Sequence, residues 1–147
     1  MIESIINDYP ELIQYLDIIK SQPKFLDYYD KNYIDDDMCI QRDFYHYARD
    51  IIKGRWPEAE PIIMKNPRYV WAYAYNVIQG RWPEAEPYIM KDPEWAYRYA
   101  HDVIRDRWIE AEPYIKENGY WYSAYMRNVR NYTIGKKTDS NQRRQDG

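Results

Sequence analysis

The stretch RWPEAEPYIMKDPEWAYRYAHDVIRD, residues 81–106, decides the fold because the chain repeats it at a fixed interval. The same pattern starts at Arg55 and again at Arg107, each 26 residues from Arg81, with no insertion between copies. A half copy, FYHYARDIIKG over residues 44–54, precedes the three full copies. A fixed period of about 20–50 residues is typical of repeat proteins in which each unit packs on the next.

The second half of each copy has the pattern of an amphipathic helix. In the copy at 81–106, Asp92 is a candidate N-cap, Pro93 fits the first helical position, and Glu94 adds an acid to the first turn. The apolar side chains then recur with a period of 3.6 residues, at positions 95, 96, 99, 100, 103 and 104. This spacing predicts a helix from Pro93 to about Arg105.

The first half of each copy predicts a helix with a complication. Trp82, Ala85 and Ile89 share one helical face, but Pro83 and Pro87 both interrupt the pattern. A proline inside a helix removes a backbone hydrogen bond and crowds a carbonyl group. We therefore expect this helix to be short, bent, or to begin after Pro83.

Each copy is thus expected to form an antiparallel helix pair that buries its apolar stripe against its neighbours. The predicted fold is all-α, a short α-solenoid with an N-terminal helical cap. We expect the cap over residues 1–43, with helices near 10–21, 23–33 and 36–53. The repeats follow over 44–132, as a half copy at 44–54 and full copies at 55–80, 81–106 and 107–132, and a flexible tail at 133–147 completes the chain.

The repeat resembles a Trp- and Tyr-rich tandem helical repeat found in tailed-phage proteins, where the same Arg-Trp-Pro-Glu-Ala-Glu-Pro and Trp-Ala-Tyr-x-Tyr-Ala patterns recur. More distantly, Ala96-Tyr97-Arg98-Tyr99-Ala100 and Lys116-Glu117-Asn118-Gly119 are similar to helical-pair repeats in bacterial proteins of unknown function. The resemblance covers residues 44–132. It implies a phage-encoded protein acting in a bacterial cytoplasm, and it implies no catalytic residue and no cofactor.

Composition and charge narrow the class of protein. The 147 residues carry a net charge of −3, which gives no strong basic footprint for nucleic acid. The charge is −6 over residues 1–50, +1 over 51–132 and +2 over 133–147. No apolar run is long enough to cross a membrane, the N-terminus lacks the pattern of a signal peptide, and the single cysteine suits a reducing compartment. We expect a cytoplasmic protein that does not bind membranes.

Several side chains could carry chemistry, but each has a simpler interpretation. The carboxylate pairs Glu58/Glu60, Glu84/Glu86 and Glu110/Glu112 are expected to be charged groups near helix starts that pair with the preceding arginines. His46 and His101 lie on the predicted polar face, Cys39 has no partner motif, and the Asp35–Asp37 run is expected to cap a helix. The sequence therefore predicts a protein that is not an enzyme, with no catalytic residue, cofactor or metal.

The aromatic residues divide into core and surface candidates. Five tryptophans recur at two repeat positions and are expected in the core. The tyrosines are too many for all of their hydroxyl groups to be buried, and tyrosine is favoured at binding surfaces. Exposure for a partner is expected for some of Tyr45, Tyr75, Tyr97, Tyr122 and Tyr125.

Positions that differ between copies on the polar face are the candidates for recognition. They are expected to form one continuous strip along the second helices. Its members, here called the outer strip, are the candidate partner-binding residues Arg49, Tyr75, Arg98, His101, Arg105 and Arg127.

The outer strip favours a non-enzymatic module that binds another protein, plausible targets being a host or defence factor that a phage protein would inhibit or redirect. The alternative is a protein that binds nucleic acid or mimics DNA. Self-association through the ends of the solenoid stays open.

Overall fold

The computed structural model describes residues 7–32 and 39–129, and within these ranges the chain is helical and contains no strand. The chain forms an all-α solenoid in which each helix pair packs on the next. None of the described helices combines the length and the apolar character that spanning a membrane would require.

The N-terminal region contains the three helical segments expected of it. A 3-10 segment over Pro10–Tyr15 leads into α1 (Leu16–Ser21), and α2 (Phe25–Asn32) follows. Helix α3 (Ile40–Tyr47) then crosses the expected boundary between cap and repeats at 43/44. The Asp35–Asp37 run and the tail over 133–147 lie outside the described residues.

Each full repeat contains a short first helix and a longer second helix. The first helices are α4 (Glu60–Ile63), α6 (Glu86–Ile89) and α8 (Glu112–Ile115). The second helices are α5 (Pro67–Tyr73), α7 (Pro93–Tyr99) and α9 (Gly119–Asn128).

The second proline of each repeat lies at the start of the short first helix, also in the third repeat, where Ile109 replaces the first proline. In the repeat at 81–106, residues 83–85 form a turn and the helix begins at Glu86, so Pro87 lies in its first turn. There the missing N–H removes no intrahelical bond, and the fixed backbone angle suits the helix start. Of the expected alternatives, the structure shows a short helix that begins after Pro83.

The second helices begin at side-chain caps. The Asp92 carboxylate accepts a hydrogen bond from the Trp95 N–H at 3.2 Å, and Asn66 and Asn118 cap the neighbouring repeats in the same way. The N-cap expected at Asp92 is therefore confirmed.

The second helices end differently from the expected pattern. After Tyr73 and Tyr99 the α-helix widens into π-helical turns, Ala74–Ile78 and Ala100–Ile104, as it does over Ala48–Ile52. Each turn is followed by a residue in the left-handed conformation: Lys53, Gln79 and Arg105, with φ of 57°, 60° and 59°. Arg105 therefore terminates its helix and is not part of the helical face.

The core repeats with the sequence. Trp56, Trp82 and Trp108 are all buried, and each packs on the tyrosine nine residues before it, with ring centroids 5.2, 4.8 and 5.1 Å apart. Alanines at repeated positions, such as Ala85 and Ala100, are fully buried beside these rings. A core of large rings and small alanines lets neighbouring helices approach closely.

Candidate interaction surface

Each full repeat contains a hydrogen-bonded network of arginine, glutamate and tyrosine, here called the Arg–Glu–Tyr network. In the first repeat, Arg55 donates two hydrogen bonds to Glu60, at 2.9 and 2.6 Å. The Tyr73 hydroxyl donates to the same carboxylate at 2.8 Å and accepts from the Trp56 N–H at 2.7 Å. The same bonds recur at Arg81/Glu86/Tyr99/Trp82 and at Arg107/Glu112/Tyr125/Trp108.

The network sets the ionisation of its carboxylate and of its tyrosine hydroxyl. Burial on its own raises the pKa of Glu60, but the hydrogen bonds from Arg55 and Tyr73 outweigh it and lower the pKa below its ordinary value. Burial is the main cause that raises the pKa of the Tyr73 hydroxyl, which therefore stays protonated as a donor. The arginine pairing expected for the second glutamate of each pair is confirmed, while the first, such as Glu58, is exposed.

A second set of polar contacts joins successive repeats. The Asn76 side-chain amide donates to the Tyr45 hydroxyl at 2.8 Å, and Asn128 donates to Tyr97 at the same distance. At the interface between these two, the aromatic residue is the donor instead of the acceptor: the Trp71 indole N–H donates to the Asp102 carboxylate at 2.9 Å. The aromatic residue and its partner are 31 residues apart in every case. Tryptophan can only donate, and it is paired here with an acceptor.

Two connected grooves lie between the ends of successive second helices. The larger has a volume of about 590 Å³ and is lined by Tyr75, Asn76, Gln79, Gly80, Asp102, Val103 and Arg105. The smaller, of about 350 Å³, is lined by Arg49, Lys53, Gly54, Asn76, Val77 and Gln79. Most lining positions of the two grooves are related by the 26-residue period, and Asn76 and Gln79 line both. We call the lining of the two grooves the helix-end surface.

The left-handed residues supply long polar side chains to this surface. Lys53, Gln79 and Arg105 are exposed, and their side chains make no hydrogen bond or ion pair with the described residues. A non-glycine residue in this conformation costs about 1–3 kcal/mol, and such strain clusters at functional sites. Gly54 and Gly80, which could adopt the conformation freely, follow one residue later without a positive φ.

Acidic groups beside the grooves are already paired. Asp102 accepts from Trp71 and lies 2.6 Å from the His101 Nδ1. Asp50 accepts two hydrogen bonds from Arg49, at 2.7 and 3.1 Å. Among the residues that line the two grooves, the cations without a described partner are Lys53 and Arg105, so the helix-end surface presents positive charge to a ligand.

The structure splits the outer strip between the grooves and the repeat interfaces. Arg49, Tyr75 and Arg105 line the grooves, and His101 is half-buried against Asp102 beside them. Arg98 lies elsewhere. Its guanidinium group lies 5.3 Å from the Trp95 ring and 5.4 Å from the Trp121 ring, so it supports the contact between two repeats.

The remaining member of the outer strip, Arg127, and two other candidate residues, His46 and Cys39, occupy other environments. Arg127 is exposed on α9 and lines neither of these grooves. His46, equivalent to Arg98, is half-buried edge-on to Tyr45, and burial, reinforced by Arg49, lowers its pKa. Half-buried Cys39 donates to the Gln41 side chain at 3.4 Å.

Of the five tyrosines considered for exposure, Tyr75 is the exposed one, and Tyr88 and Tyr120 are exposed as well. Tyr75 is 45% exposed and stacks on Trp71 with ring centroids 5.9 Å apart. Tyr45 and Tyr125 are buried, and Tyr97 and Tyr122 are half-buried, so the expectation that some of the five are exposed holds for Tyr75. Trp95 and Trp121 are also half-buried and pack at the repeat interfaces, whereas the other three recurring tryptophans are core, as expected.

Sequence reasoning missed Asn76 and Asp102 as members of the grooves. A signal for them exists, since both occupy one repeat position, 31 residues after the aromatic residue that they contact. Over residues 7–32 and 39–129, no three His, Cys, Asp or Glu side chains are grouped so that they could hold a metal ion.

The chain was compared with protein-family models, curated proteins and solved structures. No protein-family model matches the chain, and neither a curated protein nor a solved structure shows significant similarity to it.

Proposed function

We propose that the protein is a non-enzymatic interaction module that binds another protein through the helix-end surface. The observation that carries the proposal is the pair of connected grooves at equivalent places in successive repeats. The Arg–Glu–Tyr networks are the same in each full repeat, whereas equivalent groove positions carry different side chains, such as Arg49 and Tyr75. Repeat proteins bind partners through surfaces of this kind, built on an invariant scaffold.

The side chains at the grooves suit a protein partner. Tyr75 offers a large contact area, and tyrosine and arginine are enriched in protein interfaces. The resemblance to tailed-phage repeats suggests the kind of partner. We propose a bacterial host or defence protein, bound in the cytoplasm and thereby inhibited or redirected.

Affinity capture with matched variants tests the proposal. The test variant carries Lys53→Glu and Arg105→Glu in the helix-end surface. The control carries Lys65→Glu and Lys91→Glu, which change the charge by the same amount at exposed sites before the N-termini of α5 and α7. Tagged proteins of all three kinds are incubated with bacterial lysate, and the captured material is identified by mass spectrometry.

The proposal expects one protein, captured in stoichiometric amount by the wild type and the control and lost with the test variant. Equal capture by all three proteins would show that the binding interface lies outside the grooves. Capture of nucleic acid, removed by nuclease and by moderate salt, would favour the nucleic-acid alternative, since phosphate contacts depend steeply on salt.

A further inference from the structure

We infer that the ligand of the helix-end surface is an extended acidic peptide segment, with two carboxylates about six residues apart. This inference rests on the proposed function and deepens it by naming the chemistry of the bound segment. It starts from Lys53 in the smaller groove and Arg105 in the larger, the two lining cations without a described partner, since Arg49 is paired with Asp50.

The distance between the two cations sets the spacing. Lys53, Gln79 and Arg105 end three successive second helices, so the outer two are separated by two helix-to-helix steps. Packed helices lie about 8–10 Å apart, which places the outer cations about 16–20 Å apart. An extended peptide advances about 3.3 Å per residue, so five to six residues, roughly, cover this distance.

The groove between the cations suits the middle of such a segment. Gln79 lies between the two grooves and lines both, and its exposed amide can donate to and accept from a peptide backbone. Tyr75 is exposed in the larger groove and offers a flat ring to a side chain of the segment. The other charged residues of the lining already have partners, since Arg49 is paired with Asp50, and Asp102 accepts from Trp71 and lies against His101.

The helix dipole offers a simpler explanation for the two cations, and two observations argue against it. Lysine and arginine at a helix C-terminus are favoured by the helix dipole, which accounts for Lys53 and Arg105 without any ligand. The helix dipole does not explain why the same repeat position holds the uncharged Gln79. It also does not explain why all three sites hold a non-glycine residue in the left-handed conformation. A ligand that contacts all three side chains accounts for both.

Fluorescein-labelled peptides test the spacing directly. Each has a Ser/Thr/Ala background and carries two glutamates about six residues apart, two adjacent glutamates, one glutamate or none. Binding to the full-length protein is measured by fluorescence anisotropy at two salt concentrations. The spaced peptide is expected to bind about tenfold more tightly than the adjacent-glutamate peptide, since only the spaced carboxylates reach both cations.

Charge reversal separates the inference from general electrostatic attraction. The Arg105→Glu variant is expected to lose the preference for the spaced peptide and to regain it for a peptide in which one glutamate is lysine. The Lys91→Glu control keeps the wild-type preference, and circular dichroism verifies that each variant is folded. Affinities that ignore spacing, or that Lys91→Glu lowers as much as Arg105→Glu, would overturn the inference.

The two proposals fail separately. If a captured protein is lost with the Lys53→Glu/Arg105→Glu variant but the spaced peptide shows no preference, the surface binds a protein by other chemistry and only the inference is wrong. If a single-stranded oligonucleotide binds more tightly than every peptide, both are wrong.

Discussion

At the scale of single residues, the buried tyrosine hydroxyls hold the Arg–Glu–Tyr networks together. Tyr99 donates to Glu86 and accepts from the Trp82 N–H, so Tyr99→Phe leaves the buried Trp82 N–H without this acceptor and removes one of the three hydrogen bonds to Glu86. We expect a loss of about 1–3 kcal/mol in the free energy of unfolding, measured by urea denaturation. Tyr88→Phe, at a site 52% exposed, serves as the control and is expected to change the stability by less than about 0.5 kcal/mol. Equal effects would show that the network adds nothing to stability.

The same networks predict how stability depends on pH. Burial on its own raises the pKa of Glu86. The hydrogen bonds from Arg81 and Tyr99 have the opposite and larger effect, so the pKa of Glu86 lies below its ordinary value of 4.5. The stabilisation is therefore complete above pH 4.5 and is lost as the pH falls through the lower, folded-state pKa. The difference in unfolding free energy between wild type and Glu86→Gln should shrink between pH 6 and pH 3. A difference that stays constant or grows would contradict the ionised state of Glu86.

At the scale of helices, the left-handed ends allow a direct test of strain. Gln79→Gly places a residue without a Cβ at φ 60°, and we expect a gain of about 0.5–1 kcal/mol in thermal or urea stability, since glycine relieves the strain at some entropic cost. The control is Gly80→Ala. Its Cβ meets no atom within 4 Å and its φ is ordinary, so that variant should fold equally well. Destabilisation by Gln79→Gly would mean that the Gln79 side chain supports the fold.

The contacts between successive repeats should behave as independent pairs. A double-mutant cycle of Tyr97→Phe with Asn128→Ala is expected to give a coupling energy of about 0.5–1.5 kcal/mol, because one hydrogen bond joins the two side chains. Tyr97→Phe combined with Asn76→Ala, which belongs to another interface, should be additive. Coupling in both cycles would indicate that the repeats respond as one unit.

Much of this element-level structure could be predicted from sequence, for identifiable reasons. The 26-residue period shows where each helix pair recurs. The Asp92 cap and Pro87 depend only on nearby residues, so they show where the two helices of a pair begin. The π-helical turns could not be predicted, because five residues are too few to separate a helical period of 3.6 from a wider one. The outer strip was only partly located, because Arg98 turns toward Trp121 of the next repeat, and such a contact depends on how repeats stack.

At the scale of the whole molecule, the repeat explains both stability and the form of the surface. Each unit adds a Trp–Tyr core contact, an Arg–Glu–Tyr network and a link to its neighbour, so the backbone framework recurs while groove side chains vary. The groove residues come from two helices, and no single copy of the sequence contains a complete groove. This is why the sequence predicted the scaffold more completely than the candidate site.

The central claim is that the helix-end surface contacts a protein, and photo-crosslinking in bacterial cells tests it most directly. A benzophenone amino acid replaces Tyr75 in one version of the chain and Tyr88 in another. The two tyrosines are 45% and 52% exposed, and only Tyr75 lines the grooves. The account predicts a discrete covalent adduct with one bacterial protein from position 75 and none from position 88. Equal adducts from both positions, or nucleic acid as the only product at position 75, would contradict it.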